Sequence, residues 1–253
     1  MTGVAINTVV KLAVDAGKAC ADYQDRTMQD LTCQRLQCDE IWSFVYAKQK
    51  NVTPKIAAAR VAGDTWTWTA INAQTKLVPC WLIGQRDAIA ARDFMEDLAG
   101  RLTNRVQLTT DGHKVYLTAV EKAFGNDIDY AMLVKTYGLP EGAEKQYSPA
   151  VCIGCESKTI TGNPDPAHIN TSYVERQNLS MRMGMRRFTR LTNAFSKKFE
   201  NHAAAVALYF LYYNFARIHQ TLRCSPAMAA GVDSRLWEIK DIVAMIEAYE
   251  DSN

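Results

Sequence analysis

The sequence predicts a mixed α/β domain that passes into a helical C-terminal region. Three observations carry that expectation. Short runs rich in aromatic and β-branched residues alternate with amphipathic helical patterns as far as "IDYAMLV", which ends at Val134. From Tyr137 to Asn170 the pattern dissolves into Gly, Pro, Ser and Lys, and so long a stretch in a compact domain is usually functional or flexible. Beyond Tyr173 the periodicity is helical only.

In chain order, Ile6, Val9, Val10 and Ala13 recur at helical spacing, so a helix starts just after Gly3. The polar residues up to about Gln37 read as a connector. "IWSFVYAK", "TWTWTAIN" and "KLVPCWLIG" read as three strands separated by turn signals. Ala88 to Leu102 is an amphipathic helix, followed by the strand "VQLTT", the helix "VYLTAVEKAF" and the strand "IDYAMLV". Three more helices are expected over Tyr173 to about Arg190, Ser196 to His219, and "LWEIKDIVAMIEAY".

Composition narrows the class. Of 253 residues, 48% are hydrophobic and 22% charged, as in a soluble globular protein. The longest apolar run, Ala203 to Phe215, is too short to cross a bilayer, so no membrane role is expected. Seven cysteines without framework spacing and no secretory signal point to a reduced, intracellular protein. The net charge of +2 says little, but from Arg176 to Lys198 there are seven Lys or Arg and no Asp or Glu. Such a local basic block suits a polyanion.

Three acids stand out, each with a bland reading beside a chemical one. Asp39 sits at the head of the first expected strand. Alternation there puts Asp39, Ile41 and Ser43 on one face and Glu40, Trp42 and Phe44 on the other, so only one of the adjacent acids can point into a given site. Its bland reading is a solvated pair ending a loop. Asp111 ends "VQLTT", either as a turn or N-cap residue or as a ligand beyond a strand's carboxyl end. Glu175 fits a capping box with Ser172, yet Glu175, Asn178, Leu179 and Arg182 also share one helix side, a poor core face. Taken together, the order can gather three carboxylates around one or two hard cations. Mg²⁺ accepts such oxygen ligands, and paired cations suit in-line phosphoryl transfer.

The stretches "DEIWSFV", "TTDGHKVY" and "YVERQNLSMRMGMRRFTRLTNAFSKK" resemble the insertion-sequence-one family of bacterial DDE transposases. The similarity covers roughly Cys38 to Arg223. It implies a ribonuclease-H-like mixed sheet flanked by helices, with a long insertion before the Glu-bearing helix. It implies Mg²⁺- or Mn²⁺-dependent cutting and joining of DNA, with the family's acids falling on Asp39, Asp111 and Glu175. DNA is the expected partner, as element terminal repeats and as target. A homodimer or higher homo-oligomer is expected because two element ends must meet, in the cytoplasm and associated with the nucleoid.

On this reading residues 1–37 are a partial helix-turn-helix remnant and connector. Residues 38–223 form the catalytic domain, with the insertion at about 138–170, and residues 224–253 a helical tail. The family usually carries a fuller N-terminal DNA-binding region, so Met1 reads as an internal start or a truncation. Candidate DNA contacts are Asn178, Arg182, Arg186, Arg187, Arg190, Lys197 and Lys198, joined by His113 and Lys114 beside Asp111. Cys152 and Cys155 have zinc-knuckle spacing, but four ligands are required and His168 is the nearest addition, so they read as ordinary loop cysteines. Two alternatives stand beside a transposase. One is a structure-selective nuclease on the same core; the other is a truncated, inactive DNA-binding relic or regulator of transposition.

Overall fold

A computed structural model describes residues 3–138, 151–189 and 193–252. Its strands are β1 (Arg35–Val45), β2 (Gly63–Asn72), β3 (Trp81–Gly84), β4 (Val106–Asp111), β5 (Ile128–Gly138) and β6 (Val151–Thr161). Its helices are α1 (Ile6–Thr27), α2 (Pro54–Ala59), α3 (Ala88–Gly100), α4 (Val115–Phe124), α5 (Ser172–Gly184), α6 (Phe199–Leu211), α7 (Pro226–Ala229) and α8 (Ile239–Asp251). The strands form one six-stranded sheet in the order β3-β2-β1-β4-β5-β6. β1, β2 and β3 make an antiparallel meander; β4 and β5 join parallel to β1 through α3 and α4. Helices cover both faces, so the fold is a ribonuclease-H-like mixed sheet.

β1 is central because both its faces find cover. Leu36 and Cys38 join the cluster under α3 and α4, with Phe94, Leu98, Tyr116 and Val120. Ile41 joins the opposite cluster with Val174 and Met181 of α5 and Val206 and Phe210 of α6. Asp87 caps α3, accepting from the Ile89 and Ala90 amides at 3.1 and 2.9 Å.

Several boundaries differ from the sequence reading. β1 begins at Arg35, inside the expected connector, because Arg35 to Cys38 pair in parallel with Gln107 to Thr110. Main-chain pairing of this kind leaves no trace in side-chain polarity. β3 is confined to Trp81–Gly84, preceded by Lys76 with φ 60°. The segment read as patternless contains β6, antiparallel to β5. Nearly all of β6 is exposed, so it lacks the apolar alternation that marks a half-buried strand. Residues 139–150 of the expected insertion lie outside the described residues.

Toward the C-terminus, α5 stops at Gly184 and a separate 3₁₀ turn, Arg186–Phe188, drives Phe188 into the second cluster. α6 ends at Leu211 and passes into a π-helical turn, Tyr212–Ala216. α1 is a single 22-residue helix whose second half packs on α6. Gly17 permits that approach, since a Cβ there would lie 2.4 Å from Ala204 Cα. Its first turns leave Ile6, Val9, Val10 and Leu12 exposed. In α8, Ile242 is buried and Ile246 packs on the core, whereas Ile239 and Val243 face solvent.

Candidate active site

The parallel register of β1 with β4 ends at Cys38 opposite Thr110. Asp39 and Asp111 are therefore the next residues on strands that begin to part, at the carboxyl edge where α/β sheets gather ligand groups. A cleft of ≈ 630 Å³ opens there, and Asp39, Glu40, Asp111, Glu175, Asn178 and Arg182 all line it.

Alternation holds along β1 but does not exclude either acid. Asp39 faces α5, where Asn178 Nδ2 donates to its Oδ2 at 2.9 Å. Glu40 faces α3 and α4, where Arg86 Nε donates to its Oε2 at 2.9 Å. Past the last paired position both side chains reach round the strand edge to Asp111. One oxygen from each of Asp39, Glu40 and Asp111 lies within 4.8 Å of the others. The expectation that only one of the adjacent acids enters the site is thereby corrected.

Asp111 accepts from the His113 amide at 3.0 Å, and Arg86 Nη2 approaches its other oxygen at 3.5 Å. Burial, then the Glu40 and Asp111 charges, push the Asp39 carboxyl up to about 7. Burial first and Asp111 next also raise Glu40, against the Tyr116 hydroxyl and Arg86. Among the described residues neither Glu40 Oε1 nor the Tyr116 hydroxyl has another partner of good geometry, and the two groups interact. Like charges crowded this closely favour a cation between them. Among the described residues this is the only group of three or more Asp, Glu, His or Cys close enough to hold a metal ion. An all-carboxylate donor set fits a hard divalent cation such as Mg²⁺ or Mn²⁺.

Glu175 lines the same cleft but stands outside that close group. Its carboxylate pairs with Lys135 of β5 and accepts from Thr171 Oγ1, the latter at 2.6 Å. The expected Ser172–Glu175 capping box does not form, since Thr171 is the N-cap and its side chain makes no cap bond. Gln37 of β1 substitutes for it. Gln37 Oε1 accepts from the Tyr173 and Val174 amides at 2.8 and 3.2 Å, while its Nε2 donates to Asn170 Oδ1 at 2.7 Å. One buried side chain thus ties the Glu175 helix to the Asp39 strand. Gln37→Leu leaves two helix-terminal amides buried without acceptors; a loss of about 2 kcal/mol is expected in urea unfolding.

The basic residues divide. Arg182 and His113 line the cleft, His113 with its ring stacked on Trp68 at 6.3 Å between centroids. Lys114 is exposed at the start of α4 and is not among the cleft residues. Arg186 and Lys197 are exposed, as is Lys198, which pairs with Glu200 at 3.4 Å. Arg187 is half-buried and donates to Ser196 Oγ at 2.8 Å, so the structure turns it inward. Arg190 lies outside the described residues. Cys152 and Cys155 are exposed on β6 with sulfurs 3.5 Å apart, and His168 is paired instead with Asp165 at 3.7 Å. Sequence reasoning missed Glu40, Arg86, Lys135 and Gln37. Only Glu40 carried a signal, as the second acid of "DE".

Among curated proteins, none matches the chain. A family model described as a DDE domain, of the IS240 transposase type, matches residues 59–149. The matched stretch runs from the end of α2 past β5 and contains Asp111, with Asp39 and Glu175 on either side of it. It does not distinguish the insertion-sequence-one group. Together the ribonuclease-H-like fold, the acidic cleft and this match support a DDE transposase, an enzyme of the polynucleotidyl-transferase type.

Proposed function

We propose that the chain cuts and joins DNA during transposition of an insertion sequence, with Asp39, Asp111 and Glu175 as ligands for Mg²⁺ or Mn²⁺. The supporting observation is that these three acids, far apart in the chain, line one cleft. Bound cations would supply activation of the attacking oxygen and charge stabilisation of the leaving one. The protein's own part is to hold the oxygens still. Asn178 fixes Asp39, the His113 amide fixes Asp111, and Thr171 fixes Glu175. Such preorganisation spares reorganisation during the reaction.

In the proposed first step water attacks a phosphodiester at the element's end, breaking the P–O3′ bond and leaving a 3′-hydroxyl. That hydroxyl then attacks a target phosphodiester, forming a new P–O bond as the target P–O3′ bond breaks and a target 3′-hydroxyl leaves. Arg182, Arg186, Lys197 and Lys198 are proposed to hold the backbone without reading sequence, and terminal-repeat binding is assigned to the N-terminal region. A homodimer or larger assembly would join two ends. Action on the chromosome places the protein with the nucleoid; no described helix is long and apolar enough to cross a membrane.

The test incubates the full chain with Mg²⁺ or Mn²⁺, a labelled duplex carrying the element's end, and supercoiled target. A nick with a 3′-hydroxyl and joined products are expected. Nicks without joining would favour a structure-selective nuclease. Salt-sensitive binding with neither product would favour the DNA-binding relic.

A further inference from the structure

We propose that Arg86, anchored by the buried carboxylate of Glu40, is a phosphate-binding group of this cleft, contacting the DNA phosphodiester that the acids act on. The inference rests on the reading just given and adds a residue to it.

Three features single out Arg86. Its backbone is held on both sides: Gln85 O accepts from Trp68 Nε1 at 3.1 Å, and Asp87 caps α3. Its side chain is anchored at one edge, with Nε on Glu40 Oε2 at 2.9 Å. The Glu40 side chain is only 1% exposed, whereas that of Arg86 is 40% exposed. A carboxylate so buried is costly unless paired, so Glu40 keeps the guanidinium in place. The rest of the fork stays available. Nη2 makes a single 3.5 Å approach to Asp111, and Nη1 has no partner among the described residues.

Arg182 also lines the cleft, from α5, so Arg86 is proposed as a second basic group, beside β1; the remaining cationic groups nearby are differently committed. Lys135 is paired with Glu175, His113 lies against Trp68, and Lys114 is not in the cleft. A phosphate entering a cleft walled by acids meets repulsion, and a fixed guanidinium on one wall offsets it. Of the two adjacent acids in the cleft, Asp39 is held by Asn178, and Glu40 anchors Arg86 through its Oε2.

The test compares wild type with Arg86→Gln, Arg86→Lys, Glu40→Gln and the Glu40→Gln/Arg86→Gln double variant. Duplex binding is followed against salt in Ca²⁺, Mn²⁺ binding by calorimetry, and nicking in Mn²⁺. Arg86→Gln is expected to lower the salt slope by about one phosphate contact and nicking by roughly 10–100-fold, without weakening Mn²⁺ binding. Arg86→Lys should keep the slope and lose part of the rate, and it serves if the Gln variant does not fold. The double variant should stay as impaired as Arg86→Gln. Recovery in the double variant would mean that Arg86 only neutralises Glu40, and the proposal would be overturned. An unchanged salt slope in Arg86→Gln would overturn it too. If wild type fails to nick, the proposed function falls while the salt slope still decides the role of Arg86.

Discussion

Asp111→Asn is expected to reduce nicking by roughly a thousandfold or more, a loss of several kcal/mol of transition-state stabilisation. The substitution is nearly isosteric, so the effect is one of charge. Asp111 lies at the end of β4 close to Asp39 and Glu40, and its loss leaves no close group of three carboxylates among the described residues. Calorimetric Mn²⁺ binding should weaken in parallel, while salt-sensitive DNA binding should persist, because exposed bases such as Arg186 and Lys197 are untouched. Thermal stability should not fall: removing one of three crowded charges relieves the repulsion on Asp39. Nicking that survives at wild-type rate would exclude Asp111 from the site. Glu175→Gln provides the companion measurement. Glu175 stands apart on Lys135, so a smaller loss of Mn²⁺ affinity is expected than for Asp111→Asn.

The second large effect is acid instability centred on His202. Its ring is fully buried, 3.2 Å from Ser43 Oγ and packed on Phe188. Burial, and then the Arg187 charge, push its pKa down to about 4. Both folded and unfolded chains carry a neutral His202 above pH 6.5 or so, and its full contribution is present there. As pH falls from that point the unfolded state gains a proton that the folded state refuses. Stability is lost progressively until about pH 4, by about 3 kcal/mol in total.

Asp39 acts in the opposite sense in the metal-free protein. Its raised carboxyl contributes stability that is full below pH 3.8 and is lost as pH rises through about 7. The total pH curve therefore mixes two signs, and the difference between wild type and His202→Gln isolates one. Urea unfolding at pH 7.5 and pH 4 should show that difference shift by about 3 kcal/mol against wild type. A difference that does not change with pH would show that His202 is not the buried neutral group described.

Much of the architecture was legible. The meander, the α3–β4–α4–β5 alternation and the helical C-terminus all carry side-chain periodicity, and burial on one face writes periodicity into sequence. Three elements were hidden for a shared reason. β6, the Arg35–Cys38 extension of β1 and the stop of α5 at Gly184 depend on main-chain pairing or on where Phe188 finds a core. Such features leave the polar pattern unchanged. Likewise, Ser172 and Glu175 satisfied the local rule for a capping box, but Gln37 from another strand supplied the acceptor.

By itself, then, the sequence determined the order of the longer strands and helices, β6 excepted, and singled out Asp39, Asp111 and Glu175 as candidate acids. Only the tertiary structure decided that Glu40 shares the cleft, that Arg86 braces it across 46 residues of chain, and that Lys135 holds Glu175. The physical reason is range. Periodicity is set by each segment's own burial. An ion pair between distant segments depends on where two strand edges part, which no local pattern encodes.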